Sequence, residues 1–168
     1  MTDDVVGVLM DQQVLAKVRA IADQSFYRQE VGGILIGCRR ASYIHVIDAS
    51  SPQPQDRASP VRFWRSPIGH QAFATAAWRR SKGHVGYLGE WHSHAEAHPS
   101  PSAIDRGSWA KTYRLHQRPL VNLIVGQETI WISIQTSSAP APALMVVDAD
   151  DKGQLFAASR HGAPLRPR

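Results

Sequence analysis

Between Gln12 and Phe26 the apolar residues Val14, Leu15, Val18, Ile21 and Ala22 recur at three- and four-residue intervals, the stripe of an amphipathic helix. Asp11 stands directly ahead of them, where a helix cap is expected. The pattern then loses its helical period. EVGGILIGCRR, from Glu30, is a continuous apolar run with paired glycines and predicts a buried strand, and the alternating YIHVIDA, Tyr43 to Ala49, predicts its partner. Pro67 to about Lys82 predicts a second helix, with Phe73, Ala76, Ala77 and Arg80 on neighbouring turns. HVGYLGEWHSHAEAHPSPSAIDRGSW predicts a strand, a loop and the start of a third helix. PLVNLIVG and TIWISIQT predict two strands parted by Gly126 and Gln127, a hairpin-like spacing, and LMVVDAD predicts a last strand beyond the linker SSAPAPA.

These elements predict one mixed α/β domain over residues 1–150, without internal repeats, followed by a basic tail over residues 151–168 that includes Arg160, Arg166 and Arg168. Residues 51–66, with three prolines, predict a surface loop holding a short strand near Val61 to Trp64, and loops beside a rigid site commonly carry recognition. A chain of 168 residues buries a core without help from metals or disulfides, so any metal is functional before it is structural. The single cysteine, Cys38, excludes a disulfide framework and a thiolate cluster and reads as a small buried hydrophobe. The formal charge of +5 suits an acidic partner, but the basic residues are scattered along the chain, which argues against nucleic acid. No apolar run reaches membrane-spanning length, and MTDDVVGVLM lacks a signal pattern, so the expected location is cytoplasmic with no membrane partner.

The chemistry concentrates in the middle of the chain. His92 and His94 are two apart, so a strand projects both imidazoles from one face, close enough to share an ion. Asp105 opens a helix eleven residues after His94 and can fold back over the same ion. Two nitrogens and one carboxylate leave a fourth position open, the ligand count of a catalytic zinc site. Zinc would bring the pKa of a bound water down to ~7, and Glu30, at the head of a buried strand, could shuttle its proton. Ser102, three residues before Asp105, could stabilise an oxyanion.

Taken singly, these residues also have ordinary explanations. His92 and His94 fit an exposed strand edge, Ser102 and Asp105 fit a capping box, and Glu30 fits a solvated strand end. Gly32 and Gly33 could serve only to pack the first helix on the sheet. His98 reads as a loop residue, Glu90 and Glu96 as groups that orient a histidine or face water, and Trp91 and Trp109 as core or platform residues. His70 and the remaining histidines have no partner pattern.

Glu30 followed far downstream by His92, Ser93, His94, then AEAHPSP, Ser102, two residues and Asp105 resembles the motif of the JAMM metalloproteases, also called JAB or MPN-plus. EVGGILIG and YLGEWHSH are similar to the flanking strands of its prokaryotic branch, and the likeness extends over roughly residues 5–135. Ala95 departs from the proline that often follows the second histidine. The resemblance implies the cytidine-deaminase-like, JAB1-MPN fold, an α/β architecture with a mixed central β-sheet flanked by about three helices. It implies Zn2+ as cofactor, His92, His94 and Asp105 as its ligands, and Glu30 and Ser102 as catalytic residues.

It further implies a zinc isopeptidase that releases a ubiquitin-like protein, bound through its extended C-terminal tail, from a target. GEWHSH and PSPSAIDRGSW look most like deconjugases encoded beside ubiquitin-like conjugation enzymes in bacterial antiviral operons. Those operons' E1- and E2-like enzymes are then candidate partners, and a nucleotidyltransferase joined through its C-terminus is a candidate substrate. The alternatives are a processing peptidase for a ubiquitin-like or sulfur-carrier precursor, a non-catalytic MPN-type scaffold, and a nucleic-acid-binding JAB-like domain. A scaffold should lack one of Glu30, His92, His94 and Asp105, and all four are present.

Overall fold

The computed structural model describes residues 5–26 and 28–158. In chain order the elements are β1 (Gly7–Asp11), α1 (Gln12–Asp23), β2 (Gly32–Arg40), β3 (Tyr43–Ala49), β4 (Arg57–Ser59), β5 (Arg62–Trp64), α2 (Pro67–Arg80), β6 (Gly86–Ser93), α3 (Ala103–His116), β7 (Leu120–Val125), β8 (Ile130–Gln135), β9 (Met145–Ala149) and β10 (Gly153–Ala157). Eight strands form one sheet in the order β8-β7-β6-β2-β3-β1-β10-β9, while β4 and β5 make a separate hairpin. Among the described residues only the β6–β7 and β1–β3 pairs are parallel, so the sheet is mixed, as expected.

Successive residues of β2 point to opposite faces, and its apolar run serves both. Leu35 joins the main core with Val14, Val18 and Ala22 of α1, Val46 of β3 and Leu123 of β7. Ile34 and Ile36 point the other way, under Ala77, Phe73 and Ala74 of α2. A strand covered on both faces reads as continuous hydrophobicity, whereas β3, covered less completely, keeps its alternation. The third helix rests on the far side of the site, where Trp109 stacks on Trp131 of β8 with ring centroids 5.4 Å apart. Among the described residues no helix is long and apolar enough to cross a membrane.

Three sequence expectations change. Asp11 precedes α1 but makes no capping hydrogen bond, because its carboxylate instead meets His45 Nε2 at 2.7 Å. The loop at 51–66 holds the short strand expected near Val61 to Trp64 as β5, and gains a second, β4, that pairs with it in a hairpin. Residues 153–157, expected in a tail, form β10, which lies between β1 and β9 and buries Phe156 in the main core. The turn that returns the chain is built by Asp150, whose carboxylate accepts the N–H groups of Lys152 and Gly153. Arg160, Arg166 and Arg168 lie outside the described residues.

A bulge in β6 sets the orientation of everything downstream. The pairing with β2 shifts between Leu35 and Ile36, which face Gly89 and Tyr87 and leave Leu88 as the extra residue. Leu88 and Trp91 therefore share the main core although they are three apart, and Glu90 is left to face the opposite side. Gly89 makes the shift possible: its φ is +153°, and a Cβ there would stand 1.9 Å from Val121 O. Gly89→Ala is expected to destabilise the protein by at least ~2 kcal/mol through backbone strain and overpacking against β7, measured as a lower urea midpoint at unchanged m-value.

Candidate metal centre

The site forms where β6 runs out. His92 is paired across to Gly32 on one side and to Ile124 on the other, so its backbone is fixed from both neighbours. His94 is the first residue past the strand, held by its N–H to Val125 O at 3.0 Å. Ser93, between them, points the other way, and its Oγ accepts the N–H of Val31 at 3.0 Å. That bond, with Ser93 N–H to Val31 O at 2.8 Å, ties the segment carrying Glu30 to the histidine strand. Nothing in the sequence marked Ser93 for this task.

After Ala95 the chain is pinned to the β7–β8 turn by bonds from Gln127 N–H to Glu96 O and from Thr129 N–H to Ala97 O. The loop thus needs no proline after His94 to hold its course. It ends at Ser102, the N-cap of α3, in a complete capping box. The Asp105 N–H donates to Ser102 Oγ at 3.2 Å, while Asp105 Oδ2 accepts the Ser102 N–H at 2.7 Å and its hydroxyl at 2.6 Å. The capping role considered from sequence is present, and the box holds the Asp105 carboxylate beside the histidines. The hydroxyl proton of Ser102, expected to serve an oxyanion, is directed to Asp105.

His92 Nε2 and His94 Nε2 lie 3.1 Å apart. The Asp105 oxygens stand 3.2 Å from His92 Nε2 and 3.4 Å from His94 Nε2. Ligands about 2.0–2.1 Å from a tetrahedral ion stand about 3.3 Å from one another; the two histidine nitrogens are near that spacing, and Asp105 brings Oδ1 near it to His92 and Oδ2 near it to His94. Glu30 is set slightly back, its Oε1 3.8 Å from His94 Nε2, although its carboxylate and the two histidine nitrogens all fall within 4.8 Å of one another. The Asp105 oxygens come nearer to the histidine nitrogens than Glu30 does, while Glu30 and the two histidines together form a cluster that could hold a metal ion. Both histidines and Glu30 are buried, which suits groups held by an ion better than exposed charges.

The electrostatics agree with tight coupling. Burial raises the Glu30 pKa against the pull of His92 and His94. Burial also opposes charge on His94, but its bond to Asp105 and the nearby carboxylates outweigh that and raise its pKa. Asp105 is held far below the usual carboxylate range: burial works against the charge, and the bonds from both histidines and Ser102 overcome it.

The neighbouring candidates take clear positions. Glu96 is exposed, with Oε2 3.7 Å from His94 Nδ1 and accepting the Ser100 N–H at 3.2 Å. His98 is exposed and meets Thr129 Oγ1, away from the centre. Glu90 is paired with Arg65 at 2.6 Å. Trp91 is buried, its indole N–H donating to Ser50 O. Gly32 and Gly33 admit Phe63 and Ser50, not α1: a Cβ at Gly32 would lie 2.8 Å from the Phe63 ring, and one at Gly33 2.6 Å from Ser50 Oγ. Glu30, Ser102 and Asp105 line a groove of about 250 Å³ together with Val61–Arg65 of the hairpin and Ile104, Ser108 and Thr112 of α3.

Residues 11–155 match the family described as prokaryotic homologs of the JAB domain. The chain belongs to this family. The JAB domain is 34% identical over 121 residues to a "CD-NTase/cGAS isopeptidase" of Pseudomonas aeruginosa (strain BWHPSA011 / Pa011), covering 71% of this chain and 77% of the relative. Proteins of the same name from Escherichia coli (strain TW11681) and Vibrio cholerae serotype O1 (strain ATCC 39315 / El Tor Inaba N16961) are 34% identical over 125 residues and 40% over 103. They cover 74% and 61% of this chain and 80% and 65% of the respective relatives. The fold is shared with the solution structure of protein DSY2949 from Desulfitobacterium hafniense, at a TM-score of 0.60 and 22% identity over 81% of this chain and 88% of that one.

Ser102→Ala in the JAB domain removes the hydroxyl that fixes Asp105 but no ligand. If the centre takes a metal ion, affinity for added zinc is expected to fall 10–100-fold, and stability to fall by about 1 kcal/mol from the lost cap. Competition with a chromophoric chelator and thermal melting measure the two, and unchanged affinity would show that Asp105 does not depend on Ser102.

Proposed function

We propose that this JAB domain is a zinc-dependent isopeptidase that releases a protein conjugated through its C-terminus. The observation that carries the reading is two buried histidine nitrogens 3.1 Å apart with the carboxylates of Asp105 and Glu30 beside them, both carboxylates also lining a groove. The names of the relatives support an isopeptidase, and the substrate we propose is a nucleotidyltransferase or ubiquitin-like protein joined to its target in an antiviral conjugation system of the cytoplasm.

Zinc held by His92, His94 and Asp105 would supply Lewis acidity at the scissile carbonyl and lower the pKa of water there to ~7. Glu30 takes the proton of the attacking water as its oxygen adds to that carbonyl carbon. As the carbon–nitrogen bond breaks, Glu30 returns the proton to the departing amine, so one carboxylate serves as base and then acid. Asp105 keeps the histidines turned inward. The conjugated tail lies extended along β5 as an added strand, and α3 closes the other side of the groove.

Glu30→Gln is expected to retain one zinc per chain yet lose 10²–10⁴-fold in turnover of a C-terminally linked conjugate, followed by gel and by metal analysis. Turnover near that of the unaltered protein would contradict the reading. Removal of zinc with a chelator is expected to stop cleavage, and added zinc to restore it. The far-UV circular dichroism should stay folded throughout, because the main core stands apart from the ligands. Cleavage of a linear fusion but not of a lysine-linked conjugate would favour precursor processing instead.

A further inference from the structure

Ser50, Asp56 and His70 form a buried chain outside the metal centre. His70, in the first turns of α2, is 1% exposed. Its Nδ1 lies 2.7 Å from Ser50 Oγ at the end of β3, and its Nε2 3.0 and 3.2 Å from the Asp56 oxygens in the loop before β4. The residue types are those of a hydrolytic triad, but Ser50 is 1% exposed and its Oγ accepts the N–H of Ile34 at 2.9 Å, so no acyl group can reach it.

Each member instead holds separate parts of the chain together. Asp56 also accepts the N–H of Gln53 at 2.7 Å and of Ser66 at 2.8 Å, which closes the base of the β4–β5 hairpin. Ser50 O accepts the indole N–H of Trp91 on the histidine strand, so the chain is anchored to β6. The hairpin reaches the metal centre at two further points. Ser59 O accepts the N–H of Glu30 at 2.9 Å, and the Phe63 ring packs over Gly32. Strands of three residues do not stand alone in water, so the hairpin's position depends on such anchors.

We infer that Asp56 and His70 are positioning residues for hydrolysis: they latch the hairpin as a fixed wall, at the spacing from α3 that an extended C-terminal tail requires. The inference rests on the proposed reading of the groove as the path of that tail. The zinc ligands belong to β6, its exit and α3, not to the hairpin. Glu30 stays tied to β6 through the two Val31–Ser93 bonds when the hairpin loosens, so loss of the latch frees the wall without dismantling the ion's ligands, and its effect falls on substrate capture before turnover.

Asp56→Asn, which keeps shape but cannot accept all the bonds the carboxylate accepts, and His70→Leu test this. Hydrogen exchange of amides 57–65 is expected to quicken at least tenfold in both, with amides 88–93 and zinc content unchanged. KM for a tail-linked conjugate is expected to rise at least fivefold while kcat changes less than threefold, and His70→Gln, which can still reach one partner, should fall between. Unchanged exchange in the hairpin, loss of zinc, or a fall in kcat at constant KM would overturn the inference. If His70→Leu does not fold, Asp56→Asn decides alone. A protein that cleaves no conjugate at all would refute the function, and the exchange comparison would still show whether the latch holds the hairpin.

Discussion

A one-residue slip of β6 against its neighbours would exchange His92 and Ser93 across the sheet, and with them both halves of the site. His92 has to face Asp105 while Ser93 faces back to Val31, so the register of this strand is the constraint on which the rest depends. It is fixed from both sides, antiparallel to β2 and parallel to β7, and by the bulge at Gly89 that commits Leu88 and Trp91 to the core. The hydrophobic cost of turning Trp91 out of the core, several kcal/mol for a side chain of that size, is what keeps His92 turned in.

The other groups are brought to this strand by local devices. A capping box delivers Asp105, two bonds between Ser93 and Val31 deliver Glu30, and the Ser50–His70–Asp56 chain delivers the hairpin wall. These devices place charged groups close together. His92, His94, Asp105 and Glu30 are mutually within a few ångströms and largely dry, an arrangement that is costly unless a cation or shared protons offset it.

Much of this was legible in the residues. The central strands could be read from their periods, and the motif from Glu30 to Asp105 could be read from spacing because strand and capping geometry make spacing informative. Where a side chain had a stronger partner than its local one, legibility failed: Asp11 looked like a cap but was drawn to His45, on a strand with no sequence relation to it. Gly32 and Gly33 signalled close packing but not against what, since Phe63 and Ser50 arrive from elsewhere in the chain. His70 had no pattern because its partners lie 14 and 20 residues away on a loop and a strand end. The strand β10 was hidden in a segment whose charge suggested a tail, although the Asp150 turn before it was a usable signal.

In the proposed centre His92, His94 and Asp105 hold the metal ion and Glu30 stands outside its ligands. An anomalous-difference map, recorded at the zinc absorption edge from crystals grown with zinc, tests this directly. The account predicts one peak about 2.0–2.1 Å from each histidine Nε2 and from an Asp105 oxygen, with the Glu30 carboxylate beyond ligand distance. A peak bound by Glu30 in place of Asp105, or no peak between the two histidines, would contradict it.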